Sequence, residues 1–253
     1  MTDSTDENMT REQDPATVNA DPAELQHFAS LASRWWDPES ELKPLHQINP
    51  LRLAYIEQRA KIKGRTCVDV GCGGGLLSEG LAAHGAAAVL GIDLAEDTLA
   101  VARLHAQASG LNNIEYRQVD AHRLAAERPQ EFDLVTCMEV LEHVPDPAAL
   151  IEDLAGLLRP GGDLFISTLN RTPKAFALGI VGAEYLLRLV PRGTHQYQRF
   201  VRPSELDDFA RRCRLQLTDI TGIVYDPFKQ NFRLGPDVDV NYLAHFQAPD
   251  HSA

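Results

Sequence analysis

Strand-like and helix-like segments alternate regularly through the middle of this chain. Five apolar runs are predicted as strands: R-T-C-V-D-V, A-A-V-L-G-I, I-E-Y-R-Q-V, F-D-L-V-T-C-M and D-L-F-I-S-T-L. Helical patterns such as L-L-S-E-G-L-A-A-H and A-A-L-I-E-D-L-A-G-L-L lie between them. A helix that connects two neighbouring strands brings them into parallel alignment, and such helices cover both faces of the sheet. The pattern therefore predicts an α/β fold with a doubly wound, mostly parallel sheet.

The two ends of the chain differ from this alternating middle. Residues 1–23 are acidic and polar, which predicts a disordered tail. Residues 24–253 are predicted to form a single domain that begins with two helices within 24–62, one from Glu24 to Trp36 and one from about Pro50 to Lys61. An irregular insertion at 170–202 and one more helix precede the runs L-Q-L-T-D-I-T-G-I and V-N-Y-L-A-H-F. We expect these last two runs to pair as an antiparallel edge of the sheet.

Charge and cysteine content narrow the class of protein. The formal net charge is -12 over 253 residues, which repels nucleic-acid phosphates, so no nucleic acid is expected as a partner. The four cysteines form no C-x-x-C pair, which predicts buried, reduced thiols rather than disulfides or a zinc site. The sequence shows neither a signal-peptide pattern nor an uncharged apolar stretch of about 18 residues, and a cytoplasmic protein is expected.

Four glycines follow the first predicted strand, in D-V-G-C-G-G-G. Glycine tolerates positive φ and lets a ligand approach the backbone closely. The loop lies at the carboxyl ends of the strands, where doubly wound sheets bind their ligands. A tight turn would need one or two glycines, so four favour a binding loop. Asp93 ends the second strand, where an acid accepts hydrogen bonds from both hydroxyls of an adenosine ribose.

Two ligands suit this combination of a loop and an acid. A nicotinamide dinucleotide site carries G-x-G-x-x-G, whereas Gly71, Gly73 and Gly75 follow G-x-G-x-G and position 76 is leucine. Asp69 lies two residues before the first of these glycines, where its negative charge suits a pyrophosphate poorly and a cationic ligand well. This charge favours S-adenosylmethionine, whose ammonium and sulfonium groups are positive.

These motifs resemble those of the class I S-adenosylmethionine-dependent methyltransferases. V-D-V-G-C-G-G-G, G-I-D and L-R-P-G-G-D-L-F-I-S-T stand at the intervals usual for that superfamily. The resemblance implies a Rossmann-like sheet of seven strands, of which the last is antiparallel. F-A-S-L-A-S-R-W-W-D-P, T-C-M-E-V-L-E-H-V-P-D-P and G-P-D-V-D-V-N-Y are more specific. They look like the ubiquinone-biosynthesis O-methyltransferase family, whose members methylate polyprenyl catechols and phenols.

The predicted methyl-donor site consists of Arg52, Asp69, Gly71, Gly73, Asp93, Asp120 and Met138. By the resemblance, Asp93 would hold the ribose, Gly71 would lie under the methionyl end, and Met138 would pack near the adenosyl group. Arg52 in N-P-L-R would also contact the donor, and Asp120 is a candidate acceptor for the adenine amine. The segment H-G-A-A-A-V-L-G-I-D is one residue longer than the family pattern, a difference that we place in the turn before Asp93.

Glu139, Glu142 and His143 follow the fourth strand, and their spacing would bring them onto one face of a helical turn. Two carboxylates and an imidazole suit Mg²⁺ or another divalent cation, and the resemblance supports a metal because eukaryotic members depend on one through this pattern. Without a metal, His143 or a glutamate, here Glu142, would be the general base for a phenol. A structural role near a helix start is the alternative. His195 is a less favoured candidate base.

The insertion is basic and apolar. From Arg171 to Arg202 it carries six basic residues and one acid. Its run A-F-A-L-G-I-V-G-A-E-Y-L-L-R-L-V is too short and charged to span a bilayer, but it suits a helix lying on anionic lipids. The alternative is a lid over the active site, and a lid that enters lipid would admit a substrate with a polyprenyl tail. The prediction is a peripheral position on the inner face of the membrane.

The sequence therefore predicts an S-adenosylmethionine-dependent O-methyltransferase that acts on a polyprenyl catechol or phenol in ubiquinone biosynthesis. Two other functions stay open at this point. One is methylation of a soluble phenol or amine, and the other is a cofactor-binding scaffold at the membrane without turnover. Other enzymes of ubiquinone biosynthesis are further candidate partners.

Overall fold

The computed structural model describes residues 19–177 and 197–250. The helices in these ranges are α1 (Pro22–Leu31), α2 (Lys43–Ala60), α3 (Leu76–Ala83), α4 (Glu96–Ala108), α5 (Ala121–Glu127), α6 (Pro147–Leu157), α7 (Pro173–Ala175) and α8 (Pro203–Arg212). The strands are β1 (Thr66–Val70), β2 (Ala88–Asp93), β3 (Ile114–Gln118), β4 (Phe132–Met138), β5 (Leu158–Leu169), β6 (Gln216–Asp226), β7 (Asn231–Gly235) and β8 (Asn241–Gln247). His195 and most of the predicted lid and membrane contact lie outside the described residues.

The strands within the described ranges form one sheet in the order β3-β2-β1-β4-β5-β8-β6-β7. Strands β1 to β5 pair in parallel, while β8, β6 and β7 are antiparallel to their neighbours. The predicted Rossmann-like α/β fold is therefore confirmed. The described sheet has eight strands instead of seven, because β7 forms a hairpin with β6. Its short run N-F-R-L-G has only two large apolar residues, too few for the pattern to stand out.

The beginning of the described chain differs from the sequence prediction in two places. Helix α1 starts at Pro22 with Asp21 as its N-cap, whose side chain accepts a hydrogen bond from the backbone of Ala23. Residues 19–23 had been assigned to the tail, although an aspartate followed by proline is a common helix start. Helix α2 starts at Lys43 and continues through Pro50, where the prediction placed its start. Proline suits a first helical position, so its presence inside the helix misplaced that boundary.

The central strands hold the sheet together because both of their faces are buried. Helices α2 and α3 pack on one face of the sheet, and α5, α6 and α8 pack on the other. Ile56 and Leu81 are fully buried on the first side, and Leu124 and Ile151 on the second. Full burial of one such side chain contributes about 1.5–3 kcal/mol relative to exposure. This two-sided packing fixes the carboxyl ends of β1, β2 and β4 at one edge of the sheet.

The cysteines and the lengths of the helices relate to two predictions from composition. All four cysteines are free thiols in the structure; the predicted burial is confirmed for Cys67, Cys72 and Cys137, whereas Cys213 is half-buried. Burial raises the pKa of these three thiols, so they remain protonated. In the part of the chain that the structure describes, no helix combines the length and the apolar character needed to cross a membrane.

Candidate active site

A cavity of about 670 Å³ lies at the carboxyl ends of β1, β2 and β4. It is lined by every residue to which the sequence assigned a cofactor, metal or catalytic role, with the exception of His195: Arg52, Asp69, Gly71, Gly73, Asp93, Asp120, Met138, Glu139, Glu142 and His143. Volumes of this size are typical of small-molecule sites. The fold therefore brings the predicted donor residues and the predicted catalytic residues into one space, while the role of each residue stays a prediction.

The glycine loop leaves β1 in a conformation that favours glycine. Gly71, Gly73 and Gly75 have φ values of 72°, 52° and 88°. A Cβ added to Gly71 would lie 2.4 Å from Cγ2 of Val140, and one added to Gly73 would lie 2.2 Å from Cζ2 of Trp35. The loop thus needs glycine both for its backbone angles and for its close neighbours. Its backbone forms one wall of the cavity.

Asp93 links the end of β2 to the glycine loop. Its Oδ2 accepts a hydrogen bond from the backbone N–H of Gly73 at 2.9 Å, and its Oδ1 accepts one from Ala95 at 2.9 Å. Burial raises the pKa of Asp93, although these two bonds oppose the shift. A carboxylate offers about four acceptor positions, so both oxygens can still accept from ligand hydroxyls. This arrangement fits an adenosine ribose.

Asp69 is a buried carboxylate at the end of β1. Its Oδ2 accepts a hydrogen bond from Oγ of Ser78 at 2.6 Å, and its Oδ1 accepts one from Oγ1 of Thr136 at 2.7 Å. Burial raises its pKa to about 6 despite these bonds. A buried charge is costly unless an opposite charge accompanies it. A cationic ligand in the cavity would supply that charge, so Asp69 fits an aminoacyl sulfonium compound.

Met138 and Asp120, both predicted to contact the adenosyl part of the donor, line the cavity. Met138 ends β4 and is buried at the cavity wall. Asp120 is the N-cap of α5, and its Oδ1 accepts a hydrogen bond from the backbone of Arg123 at 2.9 Å. Asp120 therefore has a structural task in addition to the binding role predicted for it.

Glu139 is held by three hydrogen-bond donors. Its Oε1 accepts from Nη2 of Arg52 at 2.9 Å, from Oγ of Ser167 at 2.8 Å and from Nδ2 of Asn241 at 3.2 Å. Burial opposes its charge, but the Arg52 guanidinium and these hydrogen bonds together bring the pKa of Glu139 below its usual value. Its φ of 56° is unusual for a residue other than glycine. Glu139 is therefore an ionised, fixed carboxylate.

Glu142 has a different environment three residues later. Its side chain is buried, and its Oε2 accepts a hydrogen bond from Oγ1 of Thr168 at 2.6 Å. No hydrogen-bond partner for Oε1 is found within the described residues. Burial, followed by the charge of Glu139, raises the pKa of Glu142 to about 7. A carboxyl group with such a pKa can exchange a proton near neutral pH.

His143 contacts a residue that the sequence analysis did not assign to the site. Its Nδ1 lies 3.0 Å from Oε2 of Glu24 in α1, and both side chains are largely buried. Burial lowers the pKa of His143, but the hydrogen bond to Glu24 and the nearby carboxylates outweigh this effect and raise it. Residues 24 and 143 are far apart in the chain, and Glu24 had no signal beyond the start of a helical pattern. Only the fold shows their contact.

The expectation of one helical face for Glu139, Glu142 and His143 was wrong. Glu139 has positive φ, and only Leu141–His143 forms a turn, which is of the 3-10 type. The three side chains bond to different neighbours, and among residues 19–177 and 197–250 no group of three His, Cys, Asp or Glu side chains is arranged to hold a metal ion. As they stand, these residues do not fit a divalent cation. The metal therefore stays a prediction, and no chemical step below depends on it.

Known proteins share this fold. A family model described as a methyltransferase domain matches residues 68–166. Magnesium protoporphyrin IX methyltransferase from Synechocystis PCC 6803, solved with bound SAH, aligns with a TM-score of 0.66 and 21% identity over 88% of this chain and 94% of that one. A SAM dependent methyltransferase from Aquifex aeolicus aligns with a TM-score of 0.57 and 15% identity over 88% and 97%. The fold is therefore that of the class I S-adenosylmethionine-dependent methyltransferases, and residues 68–166 are similar to a methyltransferase domain.

Sequence relatives place the chain more closely. It is 54% identical over 225 residues to the ubiquinone biosynthesis O-methyltransferase of Stutzerimonas stutzeri strain A1501, which covers 89% of this chain and 96% of the relative. It is 53% identical over 229 residues to the protein of the same name from Marinobacter nauticus, covering 90% and 95%. The chain belongs to the ubiquinone biosynthesis O-methyltransferase family. The resemblance indicated by the sequence motifs is thereby confirmed.

Proposed function

We propose that this protein transfers the methyl group of S-adenosylmethionine to a phenolic oxygen of a polyprenyl catechol or phenol in ubiquinone biosynthesis. One observation carries the proposal: a single cavity joins the glycine loop and Asp93 to Glu142 and His143. A methyl donor and an acceptor must meet in one space for transfer to occur. The names of the relatives support the type of reaction and the pathway.

The donor half of the cavity would hold S-adenosylmethionine, which supplies a methyl group on a positively charged sulfur. Asp93 would accept hydrogen bonds from the ribose hydroxyls through its free acceptor positions. Asp69 would lie opposite the positive charge. Gly71 would allow close approach of the ligand to the backbone, and Met138 would cover the adenosyl group.

Side chains in the acceptor half of the cavity would remove the proton of the phenolic hydroxyl. A phenol has a pKa of about 10 in water, so little of it is ionised at neutral pH. Oε1 of Glu142 has no partner within the described residues and belongs to a side chain that lines the cavity, so we assign Glu142 as the general base. His143 lines the same cavity and would stabilise the negative charge that develops on the oxygen. The two side chains predicted to be catalytic thus have complementary roles.

A role for Mg²⁺ or another divalent cation is tested by measuring methyl transfer with and without a chelator. Binding such an ion would require Glu139, Glu142 and His143 to turn away from their present partners. If turnover is lost with a chelator and returns with Mg²⁺, the metal belongs to the mechanism. A rate that is unaffected by the chelator would leave Glu142 as the base.

Contact with anionic lipids on the inner face of the membrane is part of the proposal, because the substrate carries a polyprenyl tail. Four basic residues of the insertion are described: Arg171, Lys174 and Arg199 form ion pairs within the protein, and Arg202 is the N-cap residue of α8. The lipid contact is therefore assigned to Arg188 and Arg192, which lie outside the described residues. Replacing both with glutamate should abolish sedimentation with anionic vesicles, and unchanged sedimentation would contradict the assignment.

The decisive experiment is a turnover assay with S-adenosylmethionine and a short-chain polyprenyl catechol, in which release of S-adenosylhomocysteine is measured. A tail-free catechol serves as the matched substrate. Faster turnover of the prenylated compound supports the proposal. Equal turnover of both, without any effect of lipid, would favour a soluble phenol or amine as substrate. Donor binding without turnover of either compound would favour a scaffold.

A further inference from the structure

The first described residues form an N-terminal strap, Asn19–Trp36, across the candidate active site. Members of the strap, among them Asn19, Asp21, Glu24 and Trp35, line the same cavity as the glycine loop and the residues after β4. Any ligand in the cavity would therefore face the strap as well as the edge of the sheet. The sequence pattern predicts a disordered tail for the first five residues of the strap, and no sequence motif assigns the remainder to the site.

Three polar contacts attach the strap to the far side of the cavity. The side-chain amide of Asn19 donates to the backbone oxygen of Asp146 at 2.7 Å, and its Oδ1 accepts from the backbone N–H of Asp146 at 2.9 Å. Asp21 accepts from Arg199 at 2.9 Å. The third contact joins Glu24 to His143, and it is the one that reaches a predicted catalytic side chain.

Aromatic contacts attach the other end of the strap to the glycine loop. Trp35 packs so closely on Gly73 and Gly74 that a Cβ on either glycine would lie 2.2 Å from its ring. Nε1 of Trp36 donates to the backbone oxygen of Gly74 at 2.9 Å, and its ring stacks on His105 with centroids 3.4 Å apart. The strap is therefore anchored at both ends, which restricts the position of Glu24 between them.

We propose that Glu24 is a positioning residue for the transfer reaction, one that holds the imidazole of His143 in its working orientation. A ring nitrogen that donates to a carboxylate fixes both the direction of the ring and the site of its proton. The Glu24 and His143 side chains are only 16% and 12% exposed, so solvent screens their interaction weakly. Removal of an outer partner that orients a metal-ligating histidine typically costs 10- to 100-fold in activity, and we expect a loss of similar size here.

This proposal rests on the proposed function, because it assigns a task to Glu24 in the same reaction. Two measurements distinguish a failure of this proposal from a failure of the proposed function. The first records the ring ¹⁵N signals of His143 in the wild-type protein and in Glu24→Gln, and it requires no turnover. A changed signal in the variant shows that the Glu24 carboxylate sets the state of the ring, and an unchanged signal would overturn the contact itself.

The second measurement compares kcat for a prenylated catechol with the affinity for S-adenosylmethionine. We expect Glu24→Gln and Glu24→Ala to lower kcat roughly 10- to 100-fold while the Kd of the donor changes little. Glu24→Asp keeps the charge and should recover part of the loss. A strap that merely closes the cavity would instead lose donor affinity together with kcat, because its aromatic end contacts the glycine loop.

The matched control is Glu39→Gln, the same chemical change at an exposed glutamate three residues beyond the strap, where it pairs with Lys43. It should leave both kcat and donor affinity at wild-type values. Wild-type kcat in Glu24→Gln would overturn the positioning role. Absence of methyl transfer by the wild-type protein would overturn the proposed function, while the ¹⁵N measurement would still test the contact.

Discussion

Glu139 and Glu142 are three residues apart at the end of β4, yet their carboxylates have opposite surroundings. Oε1 of Glu139 accepts hydrogen bonds from three side chains, one of them the cation Arg52. Oε1 of Glu142 has no partner among the described residues, and the neighbouring charge of Glu139 adds to the cost of ionising it. The two pKa values are therefore driven apart, which is how one site obtains a fixed anion and a proton acceptor.

Replacing the proton acceptor should slow the chemical step. We expect Glu142→Gln to lower kcat by about 10²- to 10⁴-fold, the usual contribution of a general base, because glutamine cannot take the phenolic proton. Donor affinity measured by calorimetry should stay close to the wild-type value. Glu152→Gln, at an exposed position on α6, is the control and should behave like the wild type. A Glu142→Gln enzyme with full kcat would assign the proton transfer to another group.

The pH dependence of kcat/KM follows from the same carboxyl group. The raised pKa of Glu142 in the ligand-free protein, about 7, means that the group is mostly protonated below that pH and ionised above it. Because the base must be ionised, kcat/KM for the phenol should rise roughly tenfold between about pH 6 and about pH 8. A steady-state pH profile at substrate concentrations below KM measures this rise. A flat profile across the range would show that Glu142 does not limit the reaction.

Donor binding should also depend on pH, through Asp69. Its pKa in the ligand-free protein is raised to about 6 by burial, and a cationic ligand favours the ionised form. Binding should therefore release a proton below about pH 6, and the donor should bind about tenfold more weakly near pH 5 than near pH 7. Calorimetry in buffers of different ionisation enthalpy detects the proton. Asp69→Asn should bind weakly and lose the pH dependence, and an unchanged dependence in this variant would point to another carboxylate.

The close packing of Trp35 on the glycine loop should appear in the stability of the protein. Gly73→Ala places a Cβ at positive φ and 2.2 Å from the Trp35 ring. Gly64→Ala is the matched control, because Gly64 also has positive φ but no atom within 4 Å of the added Cβ. The control should lose about 1 kcal/mol from backbone strain, and Gly73→Ala about 1–3 kcal/mol more from overpacking. Denaturant unfolding measures both, and equal losses would show that Trp35 moves away freely.

The fold class and the edge of the sheet that holds the site could be predicted from local patterns. The alternation of strands and helices is a property of short segments, and the position of Gly71 and Asp93 after two parallel strands follows from it. The short strand β7 and the start of α2 before Pro50 were missed. In both cases the local pattern was weak or misleading, and pairing or packing with distant segments decided the structure.

The sequence by itself determined which loops follow the parallel strands at the ligand-binding edge of the sheet, because the alternation of strands and helices is set by local patterns of residues. Only the tertiary structure decided the protonation state and the hydrogen-bond partners of the site residues. Arg52 comes from α2, Asn241 from β8 and Glu24 from α1, and their contacts with Glu139 and His143 separate the two glutamates and orient the histidine. Burial and hydrogen bonding between segments far apart in the chain set these properties, and no local pattern of residues contains them.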